Sequence, residues 1–352
     1  MKKTIPALAI LALCSSAALA QSNVTVYGVV DLGASINSGG VAGTSTLVSS
    51  GMATQSRFGF RGTEDFGKNL GAFFVIEGGF NGDTGGSTQN NTLFGRTAVV
   101  GLRGGFGMVS LGLQDVPFFT TLNQVVDPMR NGVVRSNNLM APAGFRAANS
   151  VLYRSNDFNG FSGDLMYAAG EVAGDSDAGR AVGGSFGYSR GPLNVRLGYH
   201  LRNNDTATLK NRGQAKNALL GANYDFGPAK AYFGYGVAKG LNSSPLNNTA
   251  ATFGGAAPVA STDSTDMLLG VSLPFGASTV VATYVRKNDR TALNQDAQQL
   301  GAAYMYALSK RTDLYTSYAV IRNHNGAAYT EGNSAESGTG DKQFTAGLRH
   351  RF

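Results

Sequence analysis

Apolar and polar residues alternate with a period of two over much of the chain. Val195, Leu197, Tyr199 and Leu201 alternate with Asn194, Arg196, Gly198, His200 and Arg202. Ala231, Phe233, Tyr235 and Val237 alternate with Lys230, Tyr232, Gly234 and Gly236, and Met267, Leu269, Val271 and Leu273 with Leu268, Gly270 and Ser272. The C-terminus closes on Phe344, Ala346, Leu348, His350 and Phe352, set against Gln343, Thr345, Gly347, Arg349 and Arg351. Successive side chains of a strand point to opposite faces, so each run predicts a strand with one apolar and one polar face. No long stretch follows the helical period. Some segments are less clean, and Leu219 falls on the polar side of its strand.

The connections between these strands are of two kinds, in turn. Short ones rich in Gly, Pro, Asp or Asn lie at 64–69, 104–107, 157–160, 190–193, 225–230, 273–278 and 308–313. Longer polar ones lie at 37–53, 82–92, 116–148, 171–180, 203–213, 241–262, 289–294 and 323–340. Seven turns and eight loops join sixteen antiparallel strands, an even number that closes a sheet without edges. The expected fold is therefore all-β, a sixteen-stranded antiparallel transmembrane β-barrel. A barrel this wide is not filled by side chains, so the Arg, Asn and Gly faces are expected to line water and the Phe, Leu and Val faces lipid. A soluble sandwich carries similar strand signals but would bury the apolar face against a second sheet.

Composition and the first residues agree with a membrane barrel. Lys2 and Lys3, an apolar stretch from Ile5 to Leu13 and Ala18-Leu19-Ala20 form a secretory signal peptide, expected to be cleaved after residue 20 and to leave 21–352 as the barrel domain. Cys14 is the only cysteine, and Leu13 stands before it where lipoprotein processing needs a small residue. Cleavage removes it, so no disulfide or cysteine metal site is expected. The chain holds 49 glycines and no tryptophan, and 14% of its residues are charged. A formal net charge of +7, part of it from the leader, is too dispersed to argue for nucleic acid. Neither catalysis nor a cofactor is expected. Gly183-Gly184-Ser185-Phe186-Gly187 matches a nucleophile elbow but lies inside an alternating strand. His200, His324 and His350 lack ligand spacing, and Asp175-Ser176-Asp177 reads as a solvated loop.

Several stretches resemble the general porins of β-proteobacterial type, the Gram-negative trimeric porin family. They are Val24-Thr25-Val26-Tyr27-Gly28-Val29-Val30-Asp31, the run from Ser56 to Asp65 that contains Arg57-Phe58-Gly59-Phe60-Arg61-Gly62, Arg96-Thr97-Ala98-Val99-Val100-Gly101-Leu102, and Asn149-Ser150-Val151-Leu152-Tyr153-Arg154-Ser155, with the terminal Phe352. The resemblance covers essentially the whole mature chain. It implies a homotrimer of barrels in the outer membrane, each a passive pore for small hydrophilic solutes and inorganic anions, narrowed by a long third loop folded into the lumen. It implies contact with outer-membrane lipids and lipopolysaccharide, and a terminal Phe352 read by the barrel-assembly machinery. It also implies wall arginines at the constriction, which by matching motif are Arg57, Arg96 and Arg154. A substrate-specific channel of the same fold, or an adhesin or receptor using the long loops, are the alternatives.

The sequence itself singles out the loop at 116–148. It is the longest connection and carries Phe118, Phe119, Leu122, Val125, Val126, Leu139, Met140 and Phe145, which need a surface to pack on. It also carries Arg130, Arg135 and Arg146 against Asp127 alone. The family usually sets acidic residues there, so a positive pore with mild anion preference is expected, with Asp127, Arg130 and Arg135 joining the wall arginines at the constriction.

Overall fold

A computed structural model describes residues 23–245, 258–332 and 338–352. The expected signal peptide, residues 1–20, lies outside them, as do parts of the connections at 241–262 and 323–340.

The strands are β1 (Asn23–Ser38), β2 (Ser45–Ser50), β3 (Arg57–Gly67), β4 (Leu70–Gly79), β5 (Thr97–Gly104), β6 (Gly107–Asp115), β7 (Arg146–Arg154), β8 (Phe161–Ala168) and β9 (Ala181–Arg190). They continue with β10 (Leu193–Asn203), β11 (Gln214–Asp225), β12 (Lys230–Lys239), β13 (Asp263–Phe275), β14 (Ser278–Asp289), β15 (Ala297–Ala307), β16 (Thr312–Asn323) and β17 (Lys342–Arg351). Neighbouring strands pair antiparallel around the sheet, and β1 pairs with β17 from Val29↔Arg351 to Ser38↔Lys342. β2 lies on the upper half of β1 and β3 on its lower half, so the two fill one position. The result is a closed barrel of 16 strands.

The break between β2 and β3 is centred on the buried Asp31. The Asp31 carboxylate accepts hydrogen bonds from the N–H groups of Ala53 (3.0 Å) and Thr54 (2.6 Å) and from the Tyr315 hydroxyl (2.5 Å). Ser56 Oγ accepts from the Asp31 N–H. This buried knot pulls residues 51–56 out of the ladder. The loop expected at 37–53 is corrected accordingly: β1 runs on to Ser38, β2 occupies 45–50, and the interruption falls at 51–56.

The alternation read from the sequence is the alternation of the barrel wall. Leu197, Phe186, Leu300 and Tyr318 are exposed on one face, while Asp164, Asn217, Gln299 and Thr345 are buried on the other. At the seam, Gly28 and Phe352 exchange backbone hydrogen bonds of 3.1 Å, and the Phe352 ring lies where a Cβ at residue 28 would stand. Only glycine lets the terminal aromatic cover that last pair. Gly183-Gly184-Ser185-Phe186-Gly187 lies within β9, so the nucleophile-elbow context is missing there.

Candidate pore-lining site

The 116–145 connection is built as a packed element. Val116 N–H donates to Phe145 O (3.0 Å), and Asp115 pairs with Arg146, so the stem continues the β6–β7 ladder. Pro117 starts helix α1 (Pro117–Thr121), where its missing N–H costs nothing. A π-helical turn at Leu122–Val126 and a 3₁₀ turn at Ser136–Asn138 follow. Phe118, Phe119, Leu122, Val126, Leu139 and Met140 are buried with Leu152, Met166, Leu219, Leu268 and Val285 of the wall. Burying each large side chain of this kind is worth roughly 1.5–3 kcal/mol. Leu219, the exception to the sequence alternation, thus sits on the polar face because the loop packs on it.

α1 and the π-turn meet β8 to β12 on the polar face. Gly221 and Gly234 make room there, since a Cβ at either would collide with Val126. Wall amides fix the backbone: Asn223 Nδ2 donates to Val125 O (2.8 Å), and Asn217 Oδ1 accepts from Ala143 N–H (3.0 Å).

Two of the expected wall arginines come together. Arg57 Nε stands 3.4 Å from one Glu77 oxygen, and Arg96 Nε stands 2.6 Å from the other. Arg96 also donates to Gln55 Oε1. Beside them Arg146 Nε pairs with Asp115 Oδ1 at 2.9 Å. These residues lie at or beside the long-loop ends of β3, β4, β5, β6 and β7, next to the loop stem. Three guanidiniums thus face two carboxylates. The sequence does not single out Glu77 or Asp115. Glu77 follows Phe73-Phe74-Val75-Ile76, an unbroken apolar run in which no phase is readable. Asp115 follows a bulge at Gly112–Gln114 that shifts the register.

The other expected members stand apart from this cluster. Arg154 points to the polar face but at the opposite end of β7, beside the short turn, where its Nε pairs with Asp164 Oδ1 at 2.7 Å. Alternation sets the face of a side chain and not its height. Asp127 does not line open space. It is 2% exposed, and its carboxylate accepts from Met129 N–H (2.8 Å), Asn131 N–H (3.0 Å) and Ser136 Oγ (2.6 Å), tying the loop to itself. Arg130 is exposed at the loop tip.

Arg135 is turned toward Glu331 of the β16–β17 connection. Burial lowers its pKa to about 10, opposed by Glu331 and Asp127. Glu331 is 1% exposed and accepts from Asn138 Nδ2 at 3.0 Å. Burial raises its pKa to about 8; Asp341 adds to the rise, and Arg135 and the Asn138 bond oppose it. Between the ordinary value of 4.5 and about 8 the folded chain keeps a proton that the unfolded chain has lost. Stability is therefore expected to fall as pH rises through that window. The heat-denaturation midpoint of the detergent-solubilised protein should drop over this range, and Glu331→Gln should flatten the slope. An equal slope in the variant would contradict the assignment.

Asp175 is engaged within its own loop. Its carboxylate takes Lys210 Nζ at 2.6 Å and the N–H groups of Asp177 and Ala178 at 3.1 Å, and the Lys210 bond leads in lowering its pKa. Among the described residues no group of three His, Cys, Asp or Glu side chains could hold a metal ion.

Comparison with known proteins places this geometry. The family model of the Gram-negative porins matches residues 7–326. Outer membrane porin protein 32 of Delftia acidovorans is 35% identical over 376 aligned positions, covering all of both chains. An outer membrane porin protein of Bordetella pertussis is 31% identical, again over the whole of both. Among solved structures, an anion-selective porin from Comamonas acidovorans superposes with a TM-score of 0.76 at 28% identity, over 94% of this chain and 100% of that one. Closed barrel, alternating faces and full-length kinship together make this chain a multi-pass β-barrel of the outer membrane and a member of the Gram-negative porin family.

Proposed function

We propose that the chain forms a water-filled channel for passive diffusion of small hydrophilic solutes and ions, with a mild preference for anions. In this reading the polar face lines the lumen and the segment 117–144 lies across it. The open passage then runs between the loop and the wall that carries Arg57, Arg96 and Arg146. The observation that carries the reading is the excess of guanidinium over carboxylate at the level of the loop stem. Arginine stays charged throughout the physiological range, so the excess persists there. The anion selectivity of the Comamonas acidovorans porin supports the same direction.

The purified protein in a planar bilayer is expected to give discrete, ohmic conductance steps in potassium chloride. A barrel that inserts without conducting would contradict a channel and favour an adhesin or receptor. We further propose a homotrimer in contact with lipopolysaccharide, which should migrate as a compact oligomer before heating and as a monomer after it. Phe352, at the seam with Gly28, is proposed as the group read by the assembly machinery. Its deletion should lower the amount of folded barrel in the outer membrane by several-fold without altering signal cleavage, and normal assembly of the deletion would sink this role.

A further inference from the structure

At the short-turn end of the barrel the polar face carries a second basic site, separate from the cluster at the loop stem. Cross-strand register sets Gly71, Arg103, Met108, Arg154 and Asp164 side by side on β4 to β8. On β5, Thr97 and Arg103 stand at opposite ends, about 20 Å apart at the rise of a strand. Arg57, Arg96 and Arg146 are therefore out of reach of this row.

Arg103 and Arg154 flank Met108. Their backbones lie two strand spacings apart, about 10 Å, and both long side chains border one cleft of about 430 Å³. Asp65, Asn69 and Asn156 also line it. The Arg103 guanidinium lies over Gly71, its Nε 3.6 Å from where a Cβ would be, a place that the Glu64 carbonyl oxygen approaches to 2.6 Å. Among the described residues no carboxylate comes within 4.0 Å of Arg103. Arg154 is held from the far side, its Nε on Asp164 Oδ1. Asp164 is itself fixed by Ser185 Oγ (2.8 Å) and Arg196 Nη1 (3.2 Å). This leaves the Arg154 side chain oriented yet 44% exposed. One carboxylate thus serves two arginines, and with Arg103 the row retains an excess of positive charge.

Two guanidinium forks around one gap match an anion with several oxygens and more than one charge better than they match chloride. Asp65 refines the choice. Its Oδ1 accepts from Gly67 N–H at 2.8 Å, and the carboxylate borders the same cleft. An ionised carboxylate only accepts hydrogen bonds. It therefore repels an oxyanion that has no proton and receives one that carries a hydroxyl.

We propose that Arg103 and Arg154 form an anion-binding station at the short-turn mouth that takes a hydrogen-bearing phosphate group, with Asp65 accepting from its hydroxyl. The station rests on the reading of the barrel as an anion-passing channel. Its occupant is admitted or released at this mouth and, while bound, slows the chloride that follows it.

The test is single-channel recording of chloride current at neutral pH, with inorganic phosphate or sulfate added on the short-turn side. Phosphate should reduce the current of the wild type at a lower concentration than sulfate. Arg103→Gln should raise the half-blocking phosphate concentration about tenfold, the loss of one charge-assisted contact, and Arg103→Lys should recover part of it. Asp65→Asn should abolish the preference for phosphate over sulfate. Equal block of the wild type and Arg103→Gln, or equal block by the two anions in the wild type, would overturn the station. The zero-current potential from the same recordings separates the two ideas. Anion preference with unchanged block removes the station alone, whereas cation preference removes the anion-passing reading on which it rests.

Discussion

Replacing Arg57 and Arg96 together by serine is expected to turn the channel from anion- to cation-preferring. The pair holds Glu77 between two guanidiniums, at 3.4 and 2.6 Å. Without them the row keeps Arg146 against Glu77 and Asp115, so the local excess changes sign. At about 0.1 M salt the Debye length is about 10 Å, long enough for this row to act across a narrow opening. At about 1 M it falls to about 3 Å, and wild type and variant should converge. The zero-current potential in a potassium chloride gradient reads the effect directly. Fold should be retained, because both side chains sit at the strand ends and the ladder uses only their backbone. An unchanged potential in a correctly assembled double variant would remove these arginines from selectivity.

The second large effect concerns the long connection. Excising 117–144 and joining Val116 to Phe145 through an Asn-Gly turn preserves the Asp115↔Arg146 pair and replaces a packed loop by a tight hairpin. If the segment crosses the lumen, single-channel conductance should rise several-fold, and sugars excluded by the wild type should enter liposomes. Selectivity should weaken as well, since the arginines would face a wider opening. The excision also removes Leu122, Val126, Leu139 and Met140 from the buried cluster, which leaves wall leucines such as Leu219 and Leu268 uncovered. Each uncovered side chain forfeits roughly 1.5–3 kcal/mol. The barrel is held by its ladder, so a lower denaturation temperature with retained strand structure is expected. Conductance equal to wild type would show that the segment does not restrict the passage.

Much of the wall is legible in the sequence because the physics is local. Period-two alternation assigns faces, and the turn chemistry of Gly, Asp and Asn marks where strands reverse. The apolar content of the 116–148 loop reveals that it packs, and Leu219 on an otherwise polar face is the wall's half of the same contact. Other features depend on more than local pattern. The interruption at 51–56 requires Asp31 and Tyr315, far apart in sequence, to meet over one backbone turn. Glu77 and Asp115 lie where an apolar run and a bulge erase the phase. For Arg154 the alternation gives the correct face, while its height follows from distance to a turn. It stands just before the 157–160 turn, whereas Arg57 stands a strand's length from the 64–69 turn. Asp127 reads as a pore charge because a lone acid among three arginines suggests a partner, whereas its carboxylate closes the loop on itself.

The most direct test of the anion-channel reading is the zero-current potential of the wild-type protein in a planar bilayer across a potassium chloride gradient at neutral pH. The account predicts a potential of the sign set by chloride moving faster than potassium, shrinking toward zero as the salt on both sides is raised. A potential of the opposite sign, or one that does not change with salt, would contradict it.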